Sequence, residues 1–376
     1  MKSDQRYYYL AFSAFEEGIG PYRFKLLVEH YKTAKNAWSV PQKELVDVGI
    51  PANIASKFTD FKNKFNLDSY IKEMEQMKVS FLTLEDEAYP YLLKQISDAP
   101  IVLYIKGNLD CVGYNNFSSF AQTSKKILAV VGTRKITAYG REVTEKIVGD
   151  LVTSGFTIVS GMALGVDTVA HQTTIKNHGQ TIAVLGCGVD VIYPPQNRQL
   201  YFDIIESGGC IVSEMPLNHW ATKGTFPARN RIISGLSRGV LMTEGAIDSG
   251  ALITCSYAGE QGRDVFAVPG LITSSLSEGT LSLLKKGAKL VTGAEDILEE
   301  FGMEKPPKNY NRYNNNNYND YTAEEKEIID LLQQENLTAD DIIKNTGQKA
   351  SAVNTLLSLL EIKGYIKNCE GKYKLN

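Results

Sequence analysis

From Lys126 onward the chain alternates short apolar runs with longer amphipathic stretches. Ile127 to Val131 is apolar and closes at Gly132; Ala138 to Thr153 follows with helical spacing and closes at Gly155. The unit then repeats. Thr157 to Val159, Thr181 to Leu185, Cys210 to Val212, Gly239 to Met242 and Val265 to Val268 are strand candidates. Gly165 to Asn177, Gln196 to Glu206, Arg229 to Leu236 and Ser249 to Glu260 are the helices among them. Short, wholly apolar strands spaced by helices predict βαβ units and a parallel sheet buried on both faces. Right-handed crossovers then lay the helices on its two sides.

The flanks carry other patterns. Residues 1 to 70 read as helical, with apolar Tyr7 to Phe15 and helical spacing of Phe24, Leu27, Val28 and Tyr31. Gly18-Ile19-Gly20-Pro21 and Val48-Gly49-Ile50-Pro51 are glycine turns before helices, the grammar of a helix-hairpin-helix. Two readings stand: such turns offer backbone N–H groups to a phosphate, or they simply cap a small packing domain. Residues 71 to 110 hold strand candidates at Val79 to Leu84 and Pro100 to Ile105, with a helix near Tyr89 to Ile96. Residues 111 to 126 are Ser/Asn-rich and read as a loop. Residues 302 to 321 are Pro- and Asn-rich, the composition of a flexible linker. Residues 322 to 376 hold three helices and two short strands, the winged-helix order. The expected organisation is therefore a helical domain (1–70), an extended Rossmann-like α/β domain (71–301), a linker (302–321) and a winged helix (322–376).

A net charge of −3 excludes a generally basic nucleic-acid coat but leaves room for a local basic groove. Two windows supply one. Met215 to Thr243 contains no acid and holds Lys223, Arg229, Arg231 and Arg238, with Phe226 among them. Cys111 to Arg141 also lacks acids and holds Lys125, Lys126, Arg134, Lys135 and Arg141. Cations beside an aromatic face suit phosphates and stacked bases. In an open parallel sheet, ligands bind beyond the carboxyl ends of the strands. Those ends here are Gly132-Thr-Arg134, Ser160-Gly161, Gly186-Cys-Gly188, Ser213-Glu214, Glu244 and Pro269-Gly270. The two windows are expected to meet there, over helix N-termini near Gly165 and Lys223.

Enzyme signatures are sparse. There is no G-x-x-x-x-G-K-[ST] and no G-x-G-x-x-G after the first strand, so no nucleotide cofactor is expected. The five cysteines show no metal-ligand spacing, and no metal is expected either. Glu214 and Glu244 sit at strand ends as an acid/base pair could, or they hold backbone N–H groups and Arg229 or Arg231. His171 follows Asp167 by one helical turn with no nucleophile beside it and reads as structural. The third helix of the winged unit, Ala350 to Ile362, has no basic residue, while base readout needs Arg, Lys, Asn or Gln at base edges. No apolar run approaches the ~20 residues of a membrane span, and no secretory signal opens the chain. A cytoplasmic protein is expected.

Taken together, VVGTR (130–134), SGMALGVDTVAH (160–171), VLGCGVDVIYPPQN (184–197), SEMP (213–216), FPARNRIISGLS (226–237) and GRDVFAVPG (262–270) resemble the DNA-processing protein A family, DprA/Smf. The likeness is strong over residues 80 to 300; the N-terminal unit resembles that family's sterile-alpha-motif-like domain and the C-terminal unit, more loosely, its winged helix. The resemblance implies a non-catalytic single-stranded DNA-binding protein that protects incoming DNA in natural transformation and helps load the RecA recombinase. It implies a homodimer through the Rossmann-like domain. By motif, Arg134 and Lys223 would contact phosphates, Phe226 would stack on a base, and Ser160 and Gly161 would supply a close-approaching loop. Arg229 and Arg231 would line or support the pocket. The competing class is a Rossmann-like nucleotide enzyme or sensor resembling phosphoribohydrolases, whose P-G-G-x-G-T motif has only Pro269-Gly270-Leu271 as a counterpart here.

Overall fold

The computed structural model describes residues 2–112, 126–222, 224–303, 321–363, 365–369 and 371–375. Contacts divide the chain into two compact units, 1–303 and 304–376. The Ser/Asn-rich loop and most of the Pro/Asn-rich linker of the sequence fall on residues 113–125 and 304–320, outside the described residues.

The alternating strands form one nine-stranded sheet. Its members are β1 (Val79–Thr83), β2 (Val102–Gly107), β3 (Ile127–Val131), β4 (Thr157–Ser160), β5 (Thr181–Val184), β6 (Cys210–Ser213), β7 (Gly239–Met242), β8 (Asp264–Ala267) and β9 (Lys289–Leu290), in the order β1-β2-β6-β5-β4-β3-β7-β8-β9. From β6 to β9 every pairing is parallel. β2 pairs antiparallel with both β6 and β1. The chain steps from β3 outward to β6, then returns to the other side of β3 at β7, so the order reverses at β3. That reversal opens a crevice beyond the carboxyl ends of the central strands.

Period-two alternation sorts each strand between two cores. Leu128 and Val130 face one side with Ile147, Leu151, Ile158 and Val166; Ile127, Ala129 and Val131 face the other with Ile232, Ile233, Leu236 and Cys255. The helices in unit one are α1 (Lys2–Ser13), α2 (Pro21–Tyr31), α3 (Ala34–Ser39), α4 (Gln42–Asp47), α5 (Ala52–Lys64), α6 (Leu67–Gln76), α7 (Tyr91–Lys94), α8 (Ala138–Thr153), α9 (Val166–Lys176), α10 (Arg198–Glu206), α11 (Thr225–Gly235), α12 (Ala251–Glu260), α13 (Glu278–Lys285) and α14 (Ala294–Glu300). α8 opens where the Thr137 hydroxyl accepts the Gly140 N–H, a side-chain cap that satisfies an otherwise orphaned donor. α11 begins at Thr225 rather than Arg229. Pro227 therefore lies in its first turn, where the missing N–H costs nothing.

The N-terminal helices pack around Phe12, Trp38 and Phe58, with Phe12 and Phe58 stacked at 5.1 Å. Their apolar cluster runs on without a break into Tyr104 of β2, Ile211 of β6 and Leu200 and Ile204 of α10. Polar ties add to it: Ser13 and Tyr104 hydroxyls meet at 2.7 Å, and Arg6 pairs with Asp86 at 3.0 Å.

The second unit holds α15 (Ala323–Gln334), α16 (Ala339–Thr346), α17 (Ala350–Ile362), β10 (Ile366–Cys369) and β11 (Lys372–Leu375). Capping boxes of Thr322 with Glu325 and Thr338 with Asp341 start the first two helices. β10 and β11 form an antiparallel hairpin, and Leu337 bridges to Tyr373. Val353, Leu357 and Leu360 bury one face of α17. Ser351, Asn354, Thr355 and Ser358 occupy its exposed face, and no cation does.

Candidate nucleic-acid interface

The cleft lies at the carboxyl ends of β3, β4 and β5, beside the reversal point. Its volume is about 260 Å³, below the ~300–1,000 Å³ of enclosed small-molecule sites. A shallow cleft of this size suits one element of a longer ligand better than a swallowed cofactor.

The turn after β3 is clamped on two sides. The Thr133 N–H donates to Glu244 O at 2.8 Å, and the Val166 N–H donates to Thr133 O at 3.1 Å. Gly132 is required here: a Cβ would stand 2.6 Å from Glu244 O and from the Val166 side chain. Gly165 has φ +81°, and a Cβ there would run into Thr133 O. So held, the turn sends Arg134 out to solvent. Its guanidinium carbon sits 5.5 Å from the Phe226 ring centroid. Among the described residues no carboxylate pairs with it. Tyr193, on the loop after β5, completes the mouth with its ring 5.6 Å from that of Phe226. Phe226 reaches this position because α11 starts early and places it in the first helical turn.

Arg229, one turn further along α11, forms the floor. It is 5% exposed and donates through Nη1 to Gly161 O and to Val184 O, the latter at 2.6 Å. One cation thus joins the ends of β4 and β5. Burial lowers its pKa, and the Asp167 carboxylate opposes that shift. The Asp167 carboxylate accepts N–H bonds from Gly161 at 3.1 Å and Ala163 at 3.2 Å. Burial nonetheless raises its pKa, against the pull of Arg229. The loop they hold is also pinned by Asn197, whose Nδ2 donates to Met162 O at 2.8 Å. Cys187 lines the wall, its thiol pushed up to about 12 by burial and hence uncharged.

Of the residues singled out by sequence, Arg134, Gly161, Phe226 and Arg229 converge on this cleft. Two others do not enter it. The Ser160 side chain is fully buried and donates to Val130 O at 2.6 Å, so it binds two strands together rather than a ligand. Arg231 points away: it holds Glu214 with two bonds, 2.9 and 2.7 Å, and Asp98 at 2.8 Å. Lys223 lies outside the described residues. The two basic windows meet only in part. Lys126 and Arg238 stand at the starting ends of β3 and β7, the opposite edge of the sheet, with Lys126 on Ser154 O and Arg238 over Phe301. Arg141 pairs with Glu145. The N–H expected to be free at the start of α9 is taken by Thr133 O.

The carboxylates are spent on structure. Glu244 accepts from the Thr137 N–H at 2.9 Å and hydroxyl at 2.6 Å, and Glu214 holds Arg231. His171 is fully buried with Nδ1 2.7 Å from Thr181 Oγ1, and burial pushes it down to about 3. The sequence reading missed Tyr193, although it lies in a stretch that reading singled out. Nothing in the spacing told which of that loop's side chains would turn toward Phe226.

A sheet reversed at its centre, with an arginine over an aromatic ring at the strand ends, defines a Rossmann-like ligand-binding protein. Residues 80–302 match the family model of DNA recombination-mediator protein A, and residues 316–372 match the DprA winged helix domain. This chain belongs to the DNA recombination-mediator protein A family, DprA/Smf. It is 41% identical over 303 residues to Protein Smf of Synechocystis, covering 80% of this chain and 74% of that protein. The X-ray structure of DNA processing protein A from Streptococcus pneumoniae superposes with a TM-score of 0.66 at 35% identity, covering 80% of this chain and 99% of that one. The Helicobacter pylori protein, whose structure addresses its single-stranded DNA binding mode, gives 0.51 at 29% identity over 59% of this chain and 95% of that one. Among the described residues no helix is long and apolar enough to cross a membrane, and no cluster of side chains could hold a metal ion.

Proposed function

We propose that this protein binds single-stranded DNA without turning it over, protects incoming DNA during natural transformation and helps load the RecA recombinase onto it. The observation that carries the reading is the exposed Arg134 guanidinium set over Phe226 at the strand ends. That pair offers a phosphate a cation and a base a ring within one nucleotide's reach. Arg134 and Lys223 contact phosphates, Phe226 stacks on a base, Gly161 lets the backbone approach closely, and Arg229 gives the cleft a fixed positive floor. Ser160 and Arg231 act from behind, by holding the strand end and the helix that bear the contacts. The protein works as a homodimer through the Rossmann-like domain, in the cytoplasm. The absence of turnover is supported by the engagement of Glu214, Glu244 and His171 with the protein itself.

The test is fluorescence anisotropy with labelled oligo-dT and a matching duplex at two salt concentrations. Salt-sensitive preference for the single strand is expected. Phe226→Ala is expected to weaken single-strand binding by about 1–3 kcal/mol, the usual worth of a stacked base. Full affinity in a folded Phe226→Ala protein would remove the cleft from the reading.

A further inference from the structure

Trp220 stands on the loop after β6 and is 73% exposed. A side chain with this much apolar area is ordinarily mostly buried. Its exposure does not come from a loose loop, since the backbone is tied on both sides. The Gly188 N–H donates to His219 O at 2.9 Å, and the Thr222 N–H donates to Thr225 Oγ1 at 3.1 Å. Ala221 packs against the apolar cluster beneath. Further back, Leu217 N–H donates to the Tyr70 hydroxyl at 3.0 Å, and His219 meets Glu16 at 2.8 Å. The ring is therefore held out in water by a rigid frame.

Both of those ties lead into the cleft. Gly188 follows the lining residues Gly186 and Cys187; Thr225 precedes Phe226. β6 is the next strand beyond β5, so Trp220 lies one strand further along the same row of carboxyl ends. Neighbouring strands are ~4.8 Å apart, a step a nucleotide chain spans readily. The nearby acids are engaged: Asp190 accepts the Asn218 N–H, Glu73 accepts the Asn218 amide and Glu16 pairs with His219.

We propose that Trp220 is a second stacking platform, which extends the single-strand track from the Arg134–Phe226 cleft across the end of β5 to the end of β6. The inference rests on the single-strand reading above. A pre-positioned ring takes a base with little loss of side-chain freedom, and every base has a face to offer it.

The chain contains its own reporter. Of its two tryptophans, Trp38 is packed against Phe12 and Phe58, both at 5.3 Å, which leaves Trp220 as the solvent-facing one. Titration with oligo-dT of about 20 nucleotides, longer than the ~4–16 of a single small binding fold, is expected to quench intrinsic tryptophan fluorescence. Trp220→Phe should abolish the quench yet keep most of the affinity. Trp220→Ala should bind at least about fivefold more weakly, with its thermal midpoint unchanged because the ring supports no packing. Unchanged affinity in Trp220→Ala overturns the proposal, whatever the fluorescence does. If Phe226→Ala loses affinity in the same assay, the cleft reading survives that result. If the parent protein binds no oligo-dT, both fall together.

Discussion

Two arginines that the sequence placed at one site do opposite work. Arg134 lends its charge to solvent and whatever binds there, while Arg231 is consumed by Glu214 and Asp98. Arg134→Ala is therefore expected to weaken oligonucleotide binding across all sequences and to flatten its salt dependence, with the unfolding midpoint unmoved. Arg231→Ala should instead cost about 3 kcal/mol of stability, since it strands a largely buried carboxylate; urea denaturation separates the two. His171 makes a second residue-scale prediction. The folded protein refuses a proton down to about pH 3, whereas the unfolded chain takes it near 6.5. Its contribution is full above 6.5 and is lost as pH falls from there toward 3, by at most about 1.4 kcal/mol per pH unit. The urea midpoint of His171→Gln should thus fall less between pH 7 and pH 5 than that of the parent. Equal falls would contradict the burial argument.

At the scale of elements, the turn after β3 depends on the helix that follows β4. Gly165 at φ +81° lets α9 start directly beneath Thr133, so Gly165→Ala should destabilise the first unit and weaken oligonucleotide binding together. Circular dichroism melts and anisotropy on the same sample check that coupling; loss of binding with an unchanged melt would contradict it. The strand ends were legible because the apolar runs stop at glycine, proline or a small polar residue, a local signal. The strand at β2 was read from its apolar run, but its place in the sheet was not, because its antiparallel partner β6 lies about a hundred residues away and no local pattern encodes that pairing. For Arg231 the sequence left lining and supporting the pocket both open and offered Glu214 as a partner; Asp98, 133 residues distant, was the partner it could not offer. The start of α11 was hidden by Pro227, which reads as a break in sequence but is at home in a first turn.

At the scale of the molecule, the division at residue 303 separates a unit that carries the cleft from one that carries a winged helix. The winged unit has its own closed core, from Ile328 and Leu332 to Val353, Leu357 and Ile366. Its first helix is fastened by Glu325, buried beneath Lys363 at 2.7 Å. A protein ending at Met303 should therefore unfold cooperatively and keep its affinity for oligo-dT. A collapse of affinity on truncation would move part of the interface to the winged unit. The outer face of α17, which carries no cation, argues for the first outcome, since phosphate contact needs cations.

The floor of the cleft has a kinetic corollary. Arg229 already has its guanidinium bonded to two strand ends before any ligand arrives, so no rearrangement precedes capture. Encounter should then be paced by diffusion in the cleft's field, with added salt slowing arrival far more than it hastens departure.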